Sequence, residues 1–305
     1  MKRAALLAFA AAPFALFAAS PAFAETQPAA ATATTAALPA KGPALWKVAD
    51  ADTTIYLFGT VHVLPKEIEW YDATIATALE GSDMLVTEIP MDAASEAGMQ
   101  QLMGAKGMLP AGTTLRSLLT PEQSATYTAA MGKMGLPVEA FDPVKPWLAG
   151  LTFSLLPLMQ QGYDLNSGVE KVLLAKVGDK PKGSLETAEF QLGIFDGMTQ
   201  DAQVAFLMEA ATGIDEVKPM LDRMVTEWSE GDADQLAEVM NEGMDDPKVA
   251  EALLYSRNAN WAEWIDNRLD QPGTVFIAVG AGHLAGAKSV QDILSQKGIK
   301  VTRVK

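Results

Sequence analysis

The sequence predicts an α/β (α+β) chain: a central mixed sheet made by strands near the two ends, covered by a large helical middle region. Three observations predict it. Short β-branched and aromatic runs lie at residues 44–58, 83–89, 274–279 and 300–304. Between Asp92 and Leu269 apolar residues recur every three or four positions, the period of amphipathic helices. The order strand, helix, strand between residues 53 and 89 has the form of a βαβ unit, whose crossover is right-handed.

In chain order, residues 1–24 form a leader: Lys2 and Arg3, an Ala/Leu/Phe core from Ala4 to Ala19, and the Ala22-Phe23-Ala24 cleavage site. This is the pattern of a secretory signal peptide, not of a membrane span. Residues 25–41 are rich in Ala, Thr and Pro and cannot bury enough apolar surface to order themselves. Residues 42–305 are expected to be a single domain. Ala44–Val48 and Thr53–Phe58 flank an Asp-rich turn and read as a hairpin. A helix follows over Tyr71–Leu79, then a strand over Asp83–Ile89 stopped by Pro90. Helical spacing then covers Met99–Met108, Pro121–Met134, Leu148–Met159, Val169–Val177, Gln200–Ala211, Asp215–Glu230, Ala233–Met240 and Pro247–Arg268. A short strand over Gly183–Glu186 interrupts the series. Thr274–Val279, a helix over Ala287–Lys297 and a strand over Lys300–Val304 close the chain.

The chain carries a formal charge of −15, and loss of Lys2 and Arg3 with the leader takes it to −17. Such a surface repels nucleic-acid phosphates and anionic lipid. There is no cysteine, so disulfides and a thiol nucleophile are excluded. Export without disulfides points to a periplasmic or secreted protein with no stable membrane anchor. The sequence contains no P-loop, no G-x-S-x-G elbow and no H-E-x-x-H.

Only two histidines occur, and each closes a Gly-x-x-His step after an apolar run: Gly59-Thr60-Val61-His62 and Gly280-Ala281-Gly282-His283. A strand entering a glycine turn leaves the imidazole at the strand's carboxyl end, where open α/β sheets place their ligands. Imidazole is both the common metal ligand and the usual acid–base group near neutral pH. Glu88 ends the run Met84-Leu85-Val86-Thr87, and Glu186 ends Gly183-Ser184-Leu185. A carboxylate at the end of a buried strand demands a partner or a metal. Arg257 shares a helix with Asn258 and Trp261 and is a candidate for binding a substrate carboxylate or an oxyanion. Read one at a time, each group also has a plain structural role: a satisfied core histidine, an exposed strand-end acid, a helix cap, a surface ion pair.

Taken together, Gly59-Thr60-Val61-His62, Glu88, Gly162-Tyr163-Asp164, Leu185-Glu186-Thr187 and Gly280-Ala281-Gly282-His283 resemble the TraB/PrgY/GumN family, over about Ala44 to Lys305. That superfamily includes the Tiki proteases and is distantly similar to erythromycin esterase and to haem-binding ChaN proteins. The resemblance implies an EreA/ChaN-like α/β core and a metal-dependent hydrolase site using Mn²⁺ or Co²⁺. Mixed nitrogen and oxygen ligation also suits Zn²⁺. The expectation is a metallohydrolase, in first place a peptidase. His62 and His283 with one or both of Glu88 and Glu186 would hold the cation, a free carboxylate would act as base, and Arg257 or a turn backbone N–H would steady the oxyanion. The substrate would be a peptide or a small molecule. Two other readings stay open: a metal- or haem-binding module without catalysis, and metal-free hydrolysis by a histidine and Glu88.

Overall fold

The computed structural model describes residues 42–242 and 247–305. The leader and the Ala/Thr/Pro segment expected at residues 1–24 and 25–41 lie outside the described residues.

A six-stranded mixed sheet organises the chain. Its strands are β1 (Leu45–Ala49), β2 (Thr53–Thr60), β4 (Met84–Thr87), β6 (Lys182–Ser184), β7 (Gly273–Gly280) and β8 (Val301–Arg303), in the order β6-β4-β7-β2-β1-β8. The expected hairpin is present: β1 pairs antiparallel with β2, and β8 adds antiparallel to β1. The other four strands run parallel. A second, two-stranded ribbon joins β3 (Leu64–Pro65) to β5 (Tyr163–Asp164). The short β5 falls where the sequence reads only as a turn.

β4 does not lie beside β2; β7 enters between them. The physical reason is burial. Val275 to Gly280 is buried throughout, and a strand apolar on both faces gains most at the centre of a parallel sheet. A strand from the far end of the chain therefore splits the βαβ unit that is contiguous in sequence.

Helices pack on both faces and extend beyond one edge. α1 (Ala73–Glu80), α5 (Val169–Val177), α8 (Val217–Glu230) and α9 (Ala233–Asn241) cover one face through Phe58, Trp70, Leu173, Trp228 and Phe276. α11 (Ser256–Leu269) and α12 (Val290–Gln296) cover the other through Trp261, Ile265, Val290 and Leu294. A third apolar cluster belongs to the helical block alone. α2 (Ala93–Lys106), α3 (Pro121–Met134), α4 (Pro146–Gln160), α6 (Ala188–Asp196) and α7 (Gln200–Thr212) contribute to it. α6 has no counterpart among the sequence-based elements; its side-chain cap is Thr187, which accepts from the Phe190 N–H. α10 (Pro247–Ala250) runs through a π-turn at Glu251–Tyr255 into α11. Among the described residues no helix is long and apolar enough to cross a membrane.

Candidate active site

Because β2, β4, β6 and β7 are parallel, their carboxyl ends share one edge of the sheet, and four functional candidates emerge there. Thr60 ends β2 and is followed by His62; Thr87 ends β4 and is followed by Glu88. Gly280 ends β7 and begins the turn that carries His283; Ser184 ends β6, two residues before Glu186. The two Gly-x-x-His steps lie on neighbouring strands one residue out of step, with Gly59 opposite Val279 and Thr60 opposite Gly280. Gly59 allows this close approach: a Cβ there would meet the Ala281 backbone at 3.0 Å, an unusually tight contact. Past the strand ends, the Glu186 N–H donates to the Glu88 carbonyl (2.8 Å), which fixes the two acids side by side.

Arg257 lies between those acids and is 1% exposed. Its Nε donates to Glu186 Oε1 (2.9 Å) and Oε2 (3.1 Å). Nη2 donates to Glu88 Oε2 (2.6 Å) and Glu186 Oε2 (2.9 Å). Nη1 donates to the Leu253 carbonyl (2.9 Å) and faces His283 Nε2 at 3.1 Å. A guanidinium has five N–H donors, and all five have acceptors here. Leu253 lies in the π-turn, an irregularity that often marks functional positions in helices. The carboxylates are completed by Gln191 Nε2, which reaches Glu88 (2.9 Å) and Glu186 (3.0 Å). Trp261 Nε1 donates to Glu186 (2.9 Å), and the Gly280 N–H donates to Glu88 Oε1 (2.7 Å). Burial is the largest influence on the Glu88 carboxyl and pushes it up against the pull of Arg257. Burial also weighs against the Arg257 charge, but Glu88 and Glu186 outweigh it and hold the guanidinium protonated.

His283 is fully buried, 0% exposed, with its ring 4.2 Å from that of Trp261. Nδ1 lies 2.6 Å from Asn258 Oδ1, while Asn258 Nδ2 donates to the Lys288 carbonyl (2.8 Å). That second bond fixes the amide, so Nδ1 carries the proton and Nε2 presents its lone pair to Arg257. Burial first, and then the Arg257 charge, hold this imidazole well below its usual range.

His62 has the opposite environment. It is 8% exposed, and its Nδ1 lies 2.6 Å from Glu170 Oε1. The contact lies off the ring N–H axis, and neither ring nitrogen has an aligned hydrogen-bond partner. Glu170, in the first turn of α5, also accepts from the Thr60 hydroxyl. Desolvation pulls His62 down, but the Glu170 charge and contact, with help from Glu88, leave it raised. Glu170 ends lowered, because His62 and Thr60 outweigh its burial. Gly168 makes the pairing possible, since a Cβ at that position would overlap the His62 carbonyl.

The structure therefore brings Glu88, Glu186, Arg257 and His283 into one hydrogen-bonded cluster, with His62 near enough for Glu88 and Arg257 to act on its charge. Glu170 is the residue that the sequence reading lacks. An acid in the first turn of a helix is commonplace. The available signal is its place on the buried face of α5 with Leu173 and Val177. Asp164 has the modest role of capping the short turn at Leu165–Ser167.

As placed, these groups do not fit the divalent ion that the resemblance implies. Both nitrogens of His283 are engaged, and Arg257 fills the space between Glu88 and Glu186. Among the described residues no group of three or more His, Asp or Glu side chains is arranged to hold a metal. The oxyanion role expected of Arg257 is likewise not available, because its donors are spent within the protein.

Residues 44–303 match the TraB/PrgY/gumN family model. The chain belongs to this family. It is also 22% identical over 270 residues to an uncharacterized protein of Treponema pallidum (strain Nichols), covering 83% of this chain and 80% of that one. No solved structure matches. Members of the TraB/PrgY/gumN family thus share with this chain the region that holds every residue of the candidate site.

Proposed function

We propose that this TraB/PrgY/gumN member is an exported hydrolase of amide or ester bonds, in first place peptide bonds, with His62 as its acid–base group and no bound metal. The observation that carries the reading is the His62–Glu170 pair: an imidazole whose Nδ1 rests against a buried carboxylate while Nε2, itself buried, has no hydrogen-bond partner. A general base draws on such a carboxylate, because its charge stabilises the imidazolium that forms. Neutral His62 takes a proton from water at Nε2, water attacks the carbonyl, and the imidazolium returns the proton to the leaving group. Glu170 and Thr60 act as positioning groups. The Lys2/Arg3, Ala4–Ala19 and Ala22-Phe23-Ala24 leader supports a periplasmic setting.

The test is hydrolysis of a mixed peptide library and of a nitrophenyl ester by the mature chain. Wild type is expected to cleave, and His62→Ala to lose about 10²-fold or more of the rate with its circular dichroism intact. Cleavage undiminished in His62→Ala would remove His62 from the chemistry.

A further inference from the structure

We propose that Arg257 is the resident cation of this site and His283 its buried positioning residue, so that the site takes no divalent ion. The inference concerns the same cluster as the proposed reaction but does not depend on hydrolysis.

Three observations support it independently of any titration. First, donor and acceptor counts close. The five N–H groups of Arg257 meet Glu88, Glu186, the Leu253 carbonyl and His283 Nε2. A metal at His283 Nε2 would have to displace Nη1 from 3.1 Å, leaving a buried guanidinium beside a divalent charge. Second, the tautomer is fixed from outside the site. The chain Lys288 carbonyl, Asn258 amide, His283 Nδ1 leaves Nε2 as an acceptor directed at Arg257. Third, the arginine is anchored by the backbone at a specialised point, the π-turn carbonyl of Leu253. A planar fork that matches two carboxylates suits a permanent counter-ion, which the strongly hydrated ammonium of lysine would not replace.

The test uses the mature chain labelled with ¹⁵N, in which two histidines give two sets of imidazole signals. Mn²⁺ and Co²⁺ are each added alone, and the protein as purified is analysed for metal. The expected result is that one equivalent of either ion shifts or broadens neither imidazole. His283 should show a protonated Nδ1 and a hydrogen-bonded, unprotonated Nε2. Arg257→Gln should move the His283 Nε2 signal, a change that mere packing would not produce. Uptake of one equivalent that shifts either imidazole would overturn the proposal, as would a His283 protonated at Nε2. Failure to find any hydrolysis would count against the proposed reaction and leave this result standing.

Discussion

His62 and His283 occupy the same local frame on neighbouring strands, yet their surroundings are opposite in sign. His62 faces a carboxylate and is held raised; His283 faces a guanidinium and is held well below its usual range. One keeps a ring nitrogen without a partner, and the other has both nitrogens engaged. Identical motifs therefore do not imply identical roles. The strand and glycine turn only deliver an imidazole to the sheet edge; the helices packed there decide what it can do. α5 brings Glu170 to the first histidine, and α11 brings Arg257 and Asn258 to the second.

The largest expected effect that would break this contrast is on the cation side. Arg257→Ala should cost about 3–5 kcal/mol, because it leaves Glu88 and Glu186 buried without a counter-charge. Urea unfolding measures it, and a loss under 1 kcal/mol would mean the acids have another partner. Trp261→Phe removes a single donor from Glu186 and should cost about 1.5–3 kcal/mol, the range for hydrogen bonds to charged groups; wild-type stability would show that this bond adds little.

On the His62 side, Glu170→Gln tests the other half of the comparison. Without the carboxylate charge the imidazolium loses its main support, so the pH at which His62 becomes an active base should fall. The acidic limb of the rate profile then moves to lower pH while the maximal rate drops. An unmoved limb would separate Glu170 from the chemistry.

The smallest effect is in stability against pH, and there the two histidines oppose each other. His62 binds its proton more tightly folded than unfolded, so its contribution is full below about pH 6.5 and is lost as pH rises through the raised value. His283 binds its proton more weakly folded, so its contribution is full above about pH 6.5 and is lost as pH falls below it. His62→Gln should therefore flatten the alkaline side of the stability profile, and His283→Gln the acidic side. Equal changes in both variants would refute the contrast.

Much of the architecture is legible in the residues. The hairpin, the βαβ order, the closing strands and most helices follow from apolar period and punctuation, because those signals are local. The helix over Pro121–Met134 is bounded by Thr120, which caps it, and by Gly135 in the left-handed region. The central place of β7 was not legible, since the partner of a strand is set by burial summed over the whole sheet. Nor was Glu170, because its role comes from a neighbour more than a hundred positions earlier.

The residue pattern alone marks the groups that reach the carboxyl edge of the sheet: two imidazoles and two carboxylates, each following its own strand. It determined the family as well, through the spacing of those same motifs. Which of these groups pair is set by the packing of the helices around that edge. Hydrogen-bonded ion pairs need contact at about 3 Å, so which groups pair depends on which helices close over the edge. Arg257 came to rest between the acids and against His283, and Glu170 against His62. The two histidines were thereby given different chemistry.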